Sequence, residues 1–282
     1  PTVNGDDLVL TIDRTVQMKT EELLKSGLER ANASRGSVLV MDPNTGAVIS
    51  MANYPTYHPS KYNQVEDYHI FQNNVVSAPY ENGSIIKALT MGAGLDSGAV
   101  TAHSTFPDGT GCVQVDDRRI CNVEEDPRQA SATMLDTLKY SLNTGVVHIL
   151  RQMGGGTINR TSRDVLYSYF HDKYRFGQLT GIEQANEASG TIIAPNEAEG
   201  NNVRYANMTF GQGMDVTMVQ TAAAFSAEIN GGTYYQPRLV AGIMGEDGNI
   251  VTKDPVILAS NVLSAEASRT ARDMIWQGRA QG

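Results

Sequence analysis

Residues 80–95 read Y-E-N-G-S-I-I-K-A-L-T-M-G-A-G-L and contain a serine and a lysine three positions apart, Ser84 and Lys87. The run that starts at Ser84 is compatible with a helix, and residues 81–83 have the composition of a loop that leads into it. Residues three positions apart on a helix lie on one face, so this hydroxyl and this amine can touch. Because a neutral lysine amine can take the proton of a serine hydroxyl, the spacing predicts an activated serine nucleophile.

A serine and a lysine at this spacing are a weak signal by themselves. With the serine and lysine content of this chain, the pattern is expected by chance in roughly every second protein of this length. The alternative interpretation is a capping serine followed by a lysine on the helix surface. Further residues are needed to choose between the two.

A second polar motif, S-L-N-T-G, occupies residues 141–145. It lies between two predicted helices, at about 133–139 and 144–153, so it predicts an interhelical kink that can aim Ser141 and Asn143 into a cleft. There the hydroxyl could relay protons and the amide could hold a substrate carbonyl. The alternative is an ordinary turn with a capping serine.

Composition restricts the class of protein. The 282 residues suffice for one or two domains, and 22 basic against 31 acidic residues give a net charge of −9. This charge argues against nucleic acid as a partner, because such proteins present a basic face to the phosphates. No apolar stretch approaches the length of a membrane span. We expect no metal and no cofactor, because the five histidines share no metal-ligand spacing: His58, His69, His103, His148 and His171.

The order of predicted elements is that of an α+β fold. A strand at residues 8–12 precedes a helix at about 15–31, capped by Asp13, whose apolar positions are predicted to form one buried face. A hairpin follows at residues 37–41 and 47–51. A helix from Thr217 with a capping box to Gln220, a further strand pair and a last helix at 264–277 complete the pattern. We expect a sheet built from distant segments.

Cys112 and Cys121 lie close together in a polar, turn-rich stretch. A small disulfide loop is the favoured interpretation, which would indicate an oxidising, extracytoplasmic compartment, and a pair of free thiols is the alternative.

Several stretches together resemble one family: L-V-L-T-I-D-R-T-V-Q, V-L-V-M-D-P-N-T-G-A-V-I-S-M-A-N-Y-P, Y-E-N-G-S-I-I-K, S-L-N-T-G, N-M-T-F-G-Q-G and I-N-G-G-T-Y-Y-Q-P-R-L. In order and spacing they are similar to the transpeptidase domain of class B penicillin-binding proteins, over essentially the whole chain. The resemblance implies the fold shared with serine β-lactamases, an antiparallel sheet packed with helices plus an all-helical subdomain.

The resemblance also implies roles for residues. Ser84 matches the acylated nucleophile, Lys87 its proton acceptor, Ser141 the hydroxyl that passes the proton to the leaving amine, and Asn143 the amide that orients the substrate. Implied ligands and partners are peptidoglycan stem peptides, β-lactam antibiotics, a glycosyltransferase and other cell-wall synthesis proteins. The implied location is the outer face of a bacterial cell membrane, with an N-terminal anchor that these residues do not include.

Two departures from the family pattern affect these expectations. Asn82 stands where the family usually has proline, so the approach to the serine is expected to be less rigid. The third motif, a K-T-G or K-S-G on an edge strand, is missing, because the K-S-G at residues 25–27 falls inside the first predicted helix. We therefore expect a transpeptidase domain over 1–282 that is incomplete before the K-T-G strand and has little activity alone, with residues 1–7 ending a preceding linker or pedestal.

Two rival functions remain at this point. A serine β-lactamase or β-lactam sensor of the same fold would hydrolyse the acyl-enzyme or signal from it. A non-catalytic scaffold of the cell-wall synthesis complex is suggested by the missing third motif.

Overall fold

The computed structural model describes residues 5–123 and 130–280. The α-helices of these residues are Arg14–Ala31 (α1), Asn74–Ser77 (α2), Ile86–Asp96 (α3), Met134–Lys139 (α4), Asn143–Met153 (α5), Arg160–Tyr167 (α6), Asn202–Met208 (α7), Met218–Ile229 (α8) and Ala265–Ala280 (α9). The β-strands are Asp7–Leu10 (β1), Gly36–Met41 (β2), Val48–Tyr54 (β3), Thr105–Pro107 (β4), Cys112–Val115 (β5), Arg118–Cys121 (β6), Ser131–Thr133 (β7), Tyr234–Tyr235 (β8), Val240–Met244 (β9), Ile250–Thr252 (β10) and Ile257–Ala259 (β11).

A three-stranded antiparallel sheet joins β1 to two strands more than 200 positions later, in the order β1, β9, β10. Strand β1 begins at Asp7, which pairs with Met244 of β9, the middle strand of this sheet. The predicted sheet of distant segments is confirmed.

The hairpin of β2 and β3 is attached to this sheet through its turn. Gly46 has φ +70, and a Cβ there would lie 2.3 Å from the Gln236 carbonyl oxygen, so only glycine allows this close approach. Ala47 forms a bridge with Arg238, two residues before β9. The two predicted strand pairs therefore meet through backbone contacts.

Helix α1 packs on β3, but the prediction of one buried apolar face is wrong in detail. Asp13 caps the helix as predicted, accepting from the Val16 N–H. Met18 and Leu23 are exposed, by 62% and 54%, because the buried stripe is formed by Thr20 and the partly buried Leu24. With a rotation of 100° per residue around the helix axis, Met18 and Leu23 lie outside that stripe.

The main hydrophobic core surrounds helix α3, which contacts α5, α8 and α9. Leu89 and Met91 are fully buried. Helix α8 begins with the predicted capping box, in which Thr217 and Gln220 each hydrogen-bond the other's backbone. The result is an α+β fold in which antiparallel strands pack with helices and α3 is held at the centre.

None of the helices within the described ranges is long and apolar enough to cross a membrane. In the same ranges, no three His, Cys, Asp or Glu side chains are grouped in a way that could hold a metal ion.

Candidate active site

The loop before Ser84 is fixed by backbone pairing with residues 211–216. Tyr80 and Val216 exchange N–H···O bonds of 3.2 and 3.1 Å, and the Gly83 N–H donates to the Gly211 carbonyl at 3.0 Å. Gly211 has φ +79, and a Cβ on it would lie 2.1 Å from the Gly83 oxygen. The glycine of the N-M-T-F-G-Q-G stretch therefore lets two backbones touch at the serine loop.

Side chains hold the same loop. The Glu81 carboxylate accepts from the Gly213 N–H at 2.6 Å, and the Asn82 amide bonds the Thr221 hydroxyl at 3.0 Å. Asn82 has φ −71, within the range that proline would impose. The side-chain contact to Thr221 thus supplies restraint where the family's proline is missing.

Ser84 occupies an exposed one-turn 3₁₀ segment, Gly83–Ile85, that runs directly into α3. Residues three positions apart on a helix lie on one face, and the backbone places Ser84 and Lys87 one turn apart across the junction of the 3₁₀ segment with α3. The predicted helical relation between these two residues is therefore compatible with the backbone.

Lys87 is buried, with 2% of its surface exposed. Its Nζ donates to Ser141 Oγ at 2.9 Å and also to the Ser141 backbone carbonyl. The structure thus brings together two of the predicted site residues across 54 positions of sequence. The relative position of Ser84 and Lys87 is set by their spacing on the helix, whereas Lys87 and Ser141 are in direct hydrogen-bond contact.

Ser141 lies in the predicted kink between α4 and α5. It has φ +56, a left-handed conformation that is uncommon for residues other than glycine, asparagine and aspartate. The Leu142 N–H donates to the Thr137 carbonyl at 3.0 Å and closes the turn. This conformation presents both the hydroxyl and the carbonyl of Ser141 to Lys87.

Asn143 is the first residue of α5, and its Nδ2 donates to the Cys121 carbonyl at 2.8 Å. Cys121 ends the β5–β6 hairpin, where it pairs with Cys112 and is joined to it by a disulfide. The fourth predicted site residue is therefore held by the base of a cross-linked hairpin.

The K-S-G at residues 25–27 lies within α1. It is a helical segment on the β3 side of the domain, so it does not supply the edge-strand motif.

A groove of about 700 Å³ borders the serine loop. Its lining includes Glu81, Gly213, Asp116, Arg118 and Arg204, which carry charges of both signs. The four predicted site residues do not line this groove: Ser84, Lys87, Ser141 and Asn143.

One buried acid near the site was not predicted. Glu228 of α8 is fully buried, and its carboxylate fills the space beside Gly92 of α3, where a Cβ would lie 2.1 Å from Oε1. Tyr174 donates to Oε2 at 2.5 Å. Burial raises the pKa of Glu228 to about 8, against the lowering effect of the Tyr174 hydrogen bond. The alanine-rich helix pattern marks this position as core but gives no signal for its partner.

The C-terminal end of α3 is anchored by Asp96. It accepts from the Ser264 N–H at 2.7 Å and from Tyr169 at 2.7 Å, and it pairs with Lys173 at 3.1 Å. Burial alone would raise the pKa of Asp96, but the hydrogen bonds from Ser264, Tyr169 and Lys173 outweigh it and lower that pKa. Both ends of the serine and lysine helix are therefore fixed.

The amino-acid sequence matches a family model and known relatives over most of its length. Residues 36–282 match the model of the penicillin binding protein transpeptidase domain. Stage V sporulation protein D of Bacillus subtilis is 30% identical over all of this chain and 42% of its own length, and the peptidoglycan D,D-transpeptidase FtsI of Escherichia coli is 24% identical over 95% of this chain and 41% of its own. The chain thus spans less than half the length of these relatives.

Solved structures agree on the fold. A crystal structure described as a putative peptidoglycan glycosyltransferase from Atopobium parvulum is 27% identical, with a TM-score of 0.80 over 99% of this chain and 61% of that one. Penicillin binding protein 3 from Mycobacterium tuberculosis, complexed with aztreonam, has a TM-score of 0.84 at 24% identity, over 96% of this chain and 58% of that one. With the family model matched over most of its length, the chain belongs to the penicillin-binding protein transpeptidase domain family.

Proposed function

We propose that this chain is the transpeptidase domain of a class B penicillin-binding protein that cross-links peptidoglycan stem peptides through an acyl-enzyme on Ser84. The observation that carries the proposal is the buried Lys87 amine, 2.9 Å from Ser141 Oγ and one turn from the exposed Ser84. Such an arrangement provides a nucleophile one helical turn from a base that bonds a second hydroxyl.

The reaction would proceed by two acyl transfers. Neutral Lys87 takes the proton of Ser84, whose oxygen attacks the penultimate carbonyl of a stem peptide that ends in D-Ala-D-Ala. The terminal D-Ala leaves with a proton delivered through Ser141, and Asn143 orients the peptide. An amine of a neighbouring stem peptide then attacks the ester carbonyl of the acyl-enzyme, so that an amide bond forms and the ester bond to Ser84 breaks. A proton of the amine passes to the Ser84 oxygen, which restores the hydroxyl.

The backbone N–H of Ser84 would supply one donor for the developing oxyanion. The remaining donor and the site for the substrate carboxylate belong to a K-T-G motif that the 282 residues lack. We therefore propose that the active protein carries such a motif beyond this segment, and that these residues alone acylate slowly or not at all.

The proposal extends to location and partners. The Cys112–Cys121 disulfide supports an oxidising compartment outside the cytoplasm. There the substrate is peptidoglycan, and a glycosyltransferase that makes the glycan strands is the expected partner of the longer protein.

Mass spectrometry after treatment with penicillin tests the function. The longer protein should gain one adduct that maps to Ser84 and persists for minutes to hours, and the 282-residue chain should gain little. Rapid loss of the adduct with β-lactam turnover would indicate a β-lactamase instead. Cross-linking that is unaffected by Ser84→Ala in the longer protein would indicate a non-catalytic scaffold.

A further inference from the structure

Three polar side chains are buried behind the predicted substrate-orienting Asn143. Asp108, Asn122 and Thr144 have 2%, 7% and 5% of their surfaces exposed. Thr144 Oγ1 donates to Asp108 Oδ1 at 2.7 Å, and Asn122 Nδ2 lies 3.1 and 3.2 Å from the two carboxylate oxygens of Asp108. We call this set the Asp108 network.

The network caps the helix that carries Asn143. A helix usually begins with a local Ser, Thr, Asp or Asn that accepts from one of its first N–H groups, but the N-cap residue of α5 is Leu142 and forms no such bond. Asn122, 22 positions earlier, supplies it instead, since its Oδ1 accepts from the Thr144 N–H at 3.0 Å. The Asp108 carboxylate lies beside the N-terminus of α5, where the positive end of the helix dipole stabilises its negative charge.

The same short segment holds Asn143 itself. Cys121 accepts from the Asn143 side chain, and the next residue, Asn122, accepts from the backbone of Thr144. Two consecutive residues at the end of β6 therefore fix two consecutive residues at the start of α5. The Asn122 N–H donates to the Gly111 carbonyl and the Gly111 N–H to the Asp108 carbonyl, both at 2.8 Å, so backbone bonds join the hairpin base to the network.

We propose that Asp108 and Asn122 are positioning residues for acylation, which act through Thr144 to set the positions of Asn143 and of Ser141, two residues before it. This inference rests on the proposed function. The network touches none of the reacting atoms, and its effect is geometric. Acyl transfer is sensitive to such geometry, because a misplacement of about 1 Å can cost about 10²-fold in rate.

A matched pair of substitutions at Thr144 separates position from stability. Thr144→Val keeps the shape of the side chain but removes the donor to Asp108, whereas Thr144→Ser keeps the donor. Asp108→Asn is a second, nearly isosteric change, which removes the negative charge and replaces the carboxylate oxygen Oδ2 with an amide donor that would face the Asn122 Nδ2 donor. Ile149→Val, a buried change on the same helix outside the network, is the control for lost packing.

The experiment measures acylation of Ser84 by penicillin in the longer protein, resolved into a binding constant and a rate constant for the covalent step. We expect Thr144→Val and Asp108→Asn to lower the rate constant at least tenfold, with Thr144→Ser close to wild type and Ile149→Val unchanged apart from thermal stability. A rate constant that falls in Thr144→Val and is restored in Thr144→Ser is a pattern that general destabilisation does not produce.

Three results would overturn the inference. If Thr144→Val and Asp108→Asn fold and acylate at the wild-type rate, the inference is wrong. It is also wrong if Ile149→Val loses rate to the same extent. Both results leave the proposed function intact. A wild-type longer protein that forms no adduct on Ser84 would refute the proposed function, and the inference that rests on it would fail as well.

Discussion

The buried Glu228 makes the stability of this protein depend on pH in a direction opposite to that of most paired carboxylates. Its pKa rises from the ordinary 4.5 to about 8 because the side chain is fully buried beside Gly92. The folded protein therefore keeps this proton to a higher pH than the unfolded chain does. Between about pH 4.5 and 8, unfolding releases the proton, so the contribution is fully present below pH 4.5 and is lost as the pH rises through 8.

The magnitude follows from the two values. A rise from 4.5 to about 8 corresponds to about 5 kcal/mol between the ends of this window, at about 1.4 kcal/mol per pH unit. This is comparable to the total stability of many domains. Glu228→Gln keeps the shape and an acceptor for Tyr174 but cannot ionise, so its stability should lack this slope.

Urea denaturation followed by circular dichroism at pH 5, 6, 7, 8 and 9 measures the effect as the difference between wild type and Glu228→Gln. We expect wild type to lose several kcal/mol relative to the variant between pH 5 and 8, and the difference to level off above pH 8. Glu66→Gln, a change at an exposed glutamate, is the control and should show no such trend. A wild-type and Glu228→Gln pair whose difference stays constant across this range would refute the reasoning.

Three further predictions concern the serine loop and its base. Lys87→Met should lower the rate of Ser84 acylation in the longer protein about 10²–10⁴-fold while circular dichroism stays unchanged, and a wild-type rate would exclude this lysine as the base. Gly211→Ala should lower the free energy of unfolding by about 1–3 kcal/mol more than Gly98→Ala, because both glycines have positive φ but only the former would clash with backbone; equal losses in urea denaturation would contradict this. Asn82→Ala should lower the free energy of unfolding by about 1 kcal/mol, because it removes the bond to Thr221. Asn82→Pro should be about 0.4–1 kcal/mol more stable than Asn82→Ala, since φ −71 suits proline. A proline variant less stable than the alanine variant would show that the loop is not as described.

Local signals in the sequence were sufficient for the elements that depend on nearby residues. The capping box of Thr217 and Gln220 and the Asp13 cap both involve side chains within three positions of the backbone they bond. The kink before α5 is closed by a backbone bond over five positions, from the Leu142 N–H to the Thr137 carbonyl. The same local reasoning failed for α1, because which face is buried depends on the strand it meets. Met18 and Leu23 are apolar, but their positions around the helix axis place them outside the buried stripe of α1.

The supports of the candidate site could not be predicted because they join distant segments. Gly83 meets Gly211 across 128 positions, and Gly92 meets Glu228 across 136. In both cases the signal is a glycine whose missing side chain makes room for a partner elsewhere, and a single sequence does not say which partner. The motif residues were recognisable, whereas the contacts that hold them were not.

A crystal structure of the longer protein acylated by penicillin tests the central claim most directly. We predict a covalent bond from Ser84 Oγ to the opened β-lactam, with Lys87 Nζ within about 3.2 Å of that oxygen and still bonded to Ser141 Oγ. Electron density for the adduct on another residue, or a Lys87 side chain turned away from both hydroxyls, would contradict the assignment of these three residues.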